Sequence, residues 1–229
     1  MLSILNVRSQ EHLSCEDSYF AVENPDFIYG GVFDGCSTGK NSHWASQTLA
    51  YAYEDACRLH SFKNILSDTV TLSVLRRLES IAVADLGIDH MHFLATAVLF
   101  LFDKERSVLY TRTFGDGVII VNGHQYVEDQ DNQPDYLAYY MNQVPTRRLD
   151  MLKKVPKKEW QGVYSFQICS DGIHAIKENQ FQSSDKDPIT LLKASPTSAN
   201  YLQRMWNILH RDKFQAGDDL TIISYATTT

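Results

Sequence analysis

Residues 29–46 read YGGVFDGCSTGKNSHWAS, and two readings of this stretch compete. A nucleotide-binding loop of the Walker type needs a glycine, four residues, Gly-Lys and then Ser or Thr. That length wraps backbone N–H groups around phosphates and sets a hydroxyl on magnesium. Here Gly35 and Gly39 enclose only three residues and Asn41 follows Lys40, so the nucleotide loop fails on spacing. The other reading is a buried strand over residues 27–33, apolar and β-prone, that ends in a turn at Asp34-Gly35. A helix is expected next, because Trp44, Ala45, Thr48, Leu49, Ala52 and Ala56 recur at helical spacing over residues 42–60, with Ser42 as the N-cap.

The same signature recurs down the chain. Apolar runs meet an aspartate beside glycine at Phe33-Asp34-Gly35, Phe114-Gly115-Asp116-Gly117, Cys169-Ser170-Asp171-Gly172 and Gly217-Asp218-Asp219-Leu220. A further acidic pair, Glu16-Asp17, precedes the apolar Tyr19-Phe20-Ala21-Val22. Glycine lets the backbone turn sharply, and a strand end holds a short carboxylate rigidly. One Asp-Gly alone is an ordinary β-turn; several in this setting predict carboxylates that converge. Converging carboxylates repel one another unless cations neutralise them, and an all-oxygen donor set without His or Cys favours Mg²⁺ or Mn²⁺ over zinc.

Composition agrees. The 229 residues, 44% hydrophobic, suffice for one domain over 1–229 with a closed core. A formal charge of −7 argues against nucleic acid and anionic membrane as partners. Cys15, Cys36, Cys57 and Cys169 form no C-x-x-C pair, which fits reduced thiols in a cytoplasmic protein. No leader-like segment and no membrane-spanning run is evident.

Further elements follow from periodicity: a helix over 65–85, a strand hairpin over 94–102 and 108–114, strands over 118–121, 163–169 and 220–225, and a helix over 198–211. Trp44, Tyr51 and Tyr53 read as helix packing, and His90 and His92 as a surface pair on one side of a strand. Residues 124–161 resist assignment, and their basic cluster, Arg147, Arg148, Lys153, Lys154, Lys157 and Lys158, reads as a solvated face. The fold class is α+β, dominated by antiparallel strands with paired helices on their faces.

These motifs, taken in order, resemble the metal-dependent protein phosphatases of type 2C. That family carries an acidic pair, a strand ending in Phe-Asp-Gly, a Thr-rich strand, a Gly-Asp turn, a Ser-Asp-Gly turn and a final Asp-Asn or Asp-Asp before an apolar strand. Here they stand as Glu16-Asp17, Phe33-Asp34-Gly35, Ala95-Thr96-Ala97-Val98, Gly115-Asp116-Gly117, Ser170-Asp171-Gly172 and Asp218-Asp219-Leu220-Thr221, spanning residues 12–225. The resemblance implies a sandwich of two antiparallel β-sheets flanked by pairs of antiparallel helices. It also implies a monomer that removes phosphate from phosphoserine and phosphothreonine in protein partners, using two metal ions, with a third in bacterial members.

By the same resemblance Asp34 bridges two metals and the Gly35 carbonyl binds one of them. Asp171 and Asp218 ligate the first metal, Glu16 and Asp17 serve the second or its waters, and Asp116 with Asp171 serves the third. Asp219 orients neighbours. Where better-known members place a phosphate-binding arginine this chain has His12, as in a bacterial branch with a Ser-His run before Cys-Glu-Asp or Cys-Gln-Asp. His12 is the candidate phosphate contact, with Arg8 as the alternative and Lys40 as a possible helper. The segment between the Gly-Asp-Gly and Ser-Asp-Gly turns is shorter than the flap of relatives. No cysteine has an arginine six residues on, which excludes cysteine-dependent phosphatase chemistry. Two other functions stay open: a phosphatase-fold module that binds a phosphorylated partner with little or no turnover, and a metal-dependent hydrolase of small phosphoesters.

Overall fold

The computed structural model describes residues 1–39, 41–84, 87–128, 134–178 and 187–227. In chain order its elements are β1 (Leu2–Val7), β2 (Asp17–Glu23), β3 (Phe27–Asp34), α1 (Ser42–His60), α2 (Asp68–Ala84), β4 (Ala97–Asp103), β5 (Val108–Phe114), β6 (Gly117–Val121) and β7 (His124–Glu128). There follow α3 (Pro145–Lys154), β8 (Lys157–Trp160), β9 (Ser165–Cys169), β10 (Ile176–Glu178), α4 (Pro188–Lys193), α5 (Tyr201–Arg211), β11 (Phe214–Ala216) and β12 (Leu220–Ala226). One antiparallel sheet has the order β1-β12-β9-β6-β7, the other β2-β3-β4-β5-β8, and β10 pairs with β11.

The two-residue period of a strand explains how the layers stack. In β4 every residue from Ala97 to Phe102 is buried, yet the faces divide. Val98, Phe100 and Phe102 join Phe166, Ile168, Ile223 and Tyr225 between the sheets, while Ala97, Leu99 and Leu101 face the core under α1 and α2. In the other sheet Val118, Ile120, Leu220 and Ile222 pack beneath α4 and α5, and Ile119 and Ile223 face inward. Phe166 sits at the middle, its ring 5.5 Å from Phe100, 5.2 Å from Phe102 and 5.6 Å from Tyr225. Removing such a ring would cost about 3–5 kcal/mol. Among the described residues no helix is long and apolar enough to cross a membrane.

Several sequence expectations change. Asn41 rather than Ser42 occupies the N-cap of α1, and the Ser42 hydroxyl instead donates to the Cys36 carbonyl at 2.7 Å. Tyr53 is buried, but Tyr51, on the opposite face, is 73% exposed. His90 and His92 lie on a short 3₁₀ turn, not a strand; His92 is buried and caps that turn with Asp89. The basic cluster is not wholly solvated, because Arg148 is buried. Its guanidinium donates to the carbonyls of Tyr140 (2.9 Å), Met141 (2.8 Å) and Gln143 (3.2 Å) and pairs with Glu79 of α2. Five donors in a rigid fork make arginine the side chain able to serve so many acceptors at once.

Candidate active site

Antiparallel pairing sends alternate strand ends to one edge of a sheet. The end of β3 and the start of β2 meet there, Asp17 lying directly opposite Asp34 in register, and Phe114 at the end of β5 lies opposite Ala97 at the start of β4. In the second sheet Cys169, at the end of β9, is flanked by Val118 at the start of β6 and Ile222 near the start of β12. The turns after these residues therefore open on one end of the sandwich. Asp34, Gly35, Thr96, Asp116, Asp171 and Asp218 together line a cleft of about 250 Å³.

Two glycines permit this convergence. A Cβ on Gly35 would lie 2.3 Å from the Ser42 carbonyl oxygen and 2.9 Å from that of Glu16, to which the Gly35 N–H donates at 3.0 Å. A Cβ on Gly172 would lie 1.8 Å from the Asp219 carbonyl oxygen. Both contacts are with backbone, so only glycine lets the Asp34 and Asp171 turns close against their neighbours.

Asp17 is 4% exposed, and its Oδ2 accepts from the Ser170 hydroxyl at 2.7 Å. Ser170 in turn accepts the Thr221 N–H at 3.0 Å, so one hydroxyl ties the two sheets together beneath the cleft. Asp17 and Asp171 both stand close enough to Asp34 for their charges to act on it, which sets three carboxylates side by side. Although the edge of Asp34 opens to the cleft, burial, followed by the charges of Asp17 and Asp171, holds its pKa well above the usual carboxylate range. Burial likewise raises Asp17, and it raises Asp218 with help from Asp171.

Among the described residues no three His, Cys, Asp or Glu side chains close into a ready-made metal cage. The donor chemistry nonetheless fits a hard divalent cation. Every group is oxygen, and two buried carboxylate oxygens, Asp17 Oδ1 and Glu16 Oε2, have no hydrogen-bond partner. Buried acceptors with neither donor nor cation are costly, and cations are what a clustered acidic set of this kind accommodates.

Asp219 is 2% exposed and organises the N-terminal loop. Its Oδ1 accepts the Ser9 N–H at 2.5 Å, its Oδ2 accepts the Glu16 N–H, and His12 Nδ1 stands 3.0 Å away, off the line of a straight hydrogen bond. Burial lowers the pKa of His12, but Asp219, Glu16 and Asp218 outweigh it and the net displacement is upward. His12 lies 4.0 Å from Asp218 rather than on the cleft wall, and Arg8 donates to the Leu13 carbonyl at 2.8 Å. Lys40 lies outside the described residues.

Sequence reasoning missed part of the wall. Cys36, Ser37, Thr38, Pro134 and Tyr136 complete the cleft. Cys36 Sγ lies 3.2 Å from Thr38 Oγ1. Burial raises the thiol pKa, but hydrogen bonds to Thr38, Tyr136 and nearby backbone outweigh it and the net displacement is downward. Pro134 and Tyr136 come from the stretch that resisted assignment, and only their tertiary placement reveals them.

No family model matches the sequence and no curated protein does. Solved structures do match along the whole chain. A variant of a bacterial serine phosphatase superposes with a TM-score of 0.67 at 15% identity, covering 100% of this chain and 98% of that one. The PP2C domain of SiaA from Pseudomonas aeruginosa gives 0.64 at 13% identity, covering 99% and 86%. This is the PP2C phosphatase fold. The catalytic domain of the serine/threonine phosphatase PstP, crystallised with two manganese ions, has the same PP2C architecture, with a TM-score of 0.62 at 13% identity over 100% and 98% of the two chains. The likeness is one of architecture, and the acidic cleft of this chain opens at one end of its PP2C sandwich.

Proposed function

We propose that this chain is a Mg²⁺- or Mn²⁺-dependent phosphoprotein phosphatase that hydrolyses phosphoserine and phosphothreonine in partner proteins. The observation that carries the reading is the meeting of Asp34, Gly35, Asp116, Asp171 and Asp218 around one cleft in a PP2C fold. Asp34, Asp171, Asp218 and the Gly35 carbonyl would hold the first metal. Asp34, Glu16 and Asp17 would hold the second, and Asp116 with Asp171 a third. When bound, such ions supply an activated water at neutral pH and neutralise charge that develops on the phosphoryl oxygens.

The chain's own contribution is positional. Ser170 fixes Asp17 from below, the strand register sets Asp34 directly opposite Asp17, and Asp219 anchors the loop that carries Glu16. His12, the second proposed catalytic side chain, stands beside Asp218 and Asp219 at the rim. In its protonated form it would bring positive charge toward the substrate phosphate. An activated water needs no covalent phosphoenzyme, and, consistent with that, none of the four cysteines begins a C-x-x-x-x-x-R loop.

One observation favours a second reading, a module that binds a phosphorylated partner with little turnover: no lysine, arginine or histidine lines the described cleft. Both are tested by purified chain acting on a phosphothreonine peptide and on p-nitrophenyl phosphate, in Mn²⁺ and in EDTA, beside Asp34→Asn. The phosphatase reading expects Mn²⁺-dependent release from the peptide, lost in EDTA and in the variant. Peptide binding without release would support the module, and release from the small ester alone would support a small-molecule phosphoesterase.

A further inference from the structure

Beside the acidic cleft lies a larger groove of about 510 Å³, and the two share Cys36, Thr38, Pro134 and Tyr136 as a common wall. Its far side is made by Met91 and Leu94 from the turn before β4, and by Tyr139. The Tyr136 and Tyr139 rings meet edge to face at 5.6 Å. Met91 and Tyr139, each 39% exposed, present apolar surface to solvent at the groove.

The groove is braced. His90 Nδ1 and Asn142 Nδ2 stand 2.9 Å apart, joining the Met91 turn to the chain just past Tyr139. Arg148 holds the carbonyls of Tyr140 and Met141 from behind, and the Tyr140 hydroxyl donates to Asp135 at 2.6 Å. The two walls are thus fixed relative to each other, which lowers the ordering cost of binding.

Charge selects the occupant. Among the described residues lining the groove there is no cation, and the single carboxylate, Asp135, already accepts from Tyr140. An acidic side chain finds no cation there and a basic one only a carboxylate already engaged by Tyr140, whereas an aliphatic or aromatic one is desolvated by Met91, Leu94, Pro134, Tyr136 and Tyr139. In an extended peptide each residue advances about 3.3–3.6 Å, the scale on which a residue beside the phosphorylated one reaches a groove that shares a wall with the cleft.

Resting on the phosphatase reading above, we infer that this groove is a specificity subsite that takes a large apolar side chain adjacent to the phosphoserine or phosphothreonine of the substrate. The cleft then supplies the chemistry and the groove the discrimination between phosphoproteins.

The test uses the full chain, Mn²⁺ and fluorescein-labelled peptides that carry a non-hydrolysable phosphonate in place of phosphothreonine and differ only in the flanking residue: Leu, Ser, Lys or Glu. Anisotropy is expected to show the Leu peptide binding about tenfold or more tighter than the Ser peptide, the factor that corresponds to burying one such side chain. The Lys and Glu peptides should bind no better than Ser. In Tyr139→Ala and in Met91→Ser the Leu-to-Ser ratio should fall toward one; a merely structural role would weaken all peptides alike and leave the ratio unchanged. Equal binding of the Leu and Ser peptides, or a ratio untouched by both variants, overturns the subsite. Turnover of the matching phosphopeptides is measured in parallel. Turnover without flank preference removes the subsite and keeps the phosphatase, whereas flank preference without turnover removes the phosphatase and keeps the groove.

Discussion

Asp17→Asn isolates the electrostatic cost of the acidic cluster. Burial first, then the charge of Asp219, push the Asp17 pKa from 3.8 to about 7 against the hydrogen bonds that lower it. The folded chain therefore keeps a proton on Asp17 that the unfolded chain releases near its ordinary value. This group's contribution is most favourable below about pH 4 and is lost as pH rises toward about 7. Each pH unit in that window costs about 1.4 kcal/mol, so the cost reaches about 4 kcal/mol above pH 7 in protein stripped of metal. Asparagine carries no such cost. Its amide oxygen can still accept from Ser170, and its amide nitrogen puts a neutral donor where Asp17 Oδ1 has no partner. The variant should accordingly be more stable than wild type by about 2–4 kcal/mol at about pH 8 in EDTA, the gain shrinking to near zero at about pH 4. For a chain of this size that is a rise in Tm of about 5–15 °C. Urea unfolding in EDTA across this pH range measures it. A variant less stable than wild type at the alkaline end, or a difference that does not change with pH, would refute the reasoning.

Three further substitutions test the supports of the site. Gly172→Ala should cost about 2 kcal/mol or more in urea unfolding, because its Cβ would land 1.8 Å from the Asp219 carbonyl. Asp219→Ala strips the partner from the Ser9 and Glu16 N–H groups, so their amide hydrogens should exchange faster while those of β4 keep their protection. Arg148→Ala leaves the carbonyls of Tyr140, Met141 and Gln143 short of a donor and should cost about 3–5 kcal/mol in urea unfolding, with only partial rescue by Arg148→Lys.

Much of the frame was legible because its signals are local. β4 from Ala97 to Phe102 and β6 are unbroken apolar runs and β12 is broken only by Thr221 and Ser224, and sheets covered on both faces demand that pattern. The aspartates were legible because each stands beside a glycine at the end of such a run, and the register Asp17↔Asp34 places the acidic pair opposite the Phe-Asp-Gly turn. What stayed hidden depends on distant partners. In α3 the buried residues are Arg148 and Leu152, so its helical face does not read as apolar. Nothing local to Arg148 announces that α3 will turn it back onto the carbonyls of Tyr140, Met141 and Gln143 and against Glu79 of α2. The groove wall at Pro134, Tyr136 and Tyr139 lies in the same unreadable stretch, and only the fold shows that His12 stands 3.0 Å from Asp219, near the other end of the chain.

Whether the strand-end carboxylates form a site for divalent cations is decided by calorimetric titration of EDTA-treated, desalted protein with Mn²⁺. Saturable binding at neutral pH with release of protons, read from the dependence of the heat on buffer ionisation, is expected because Asp17 and Asp34 are held above the usual carboxylate range. Asp34→Asn should abolish the high-affinity step. Absence of binding, or binding that Asp34→Asn leaves intact and that releases no protons, would contradict the cation site.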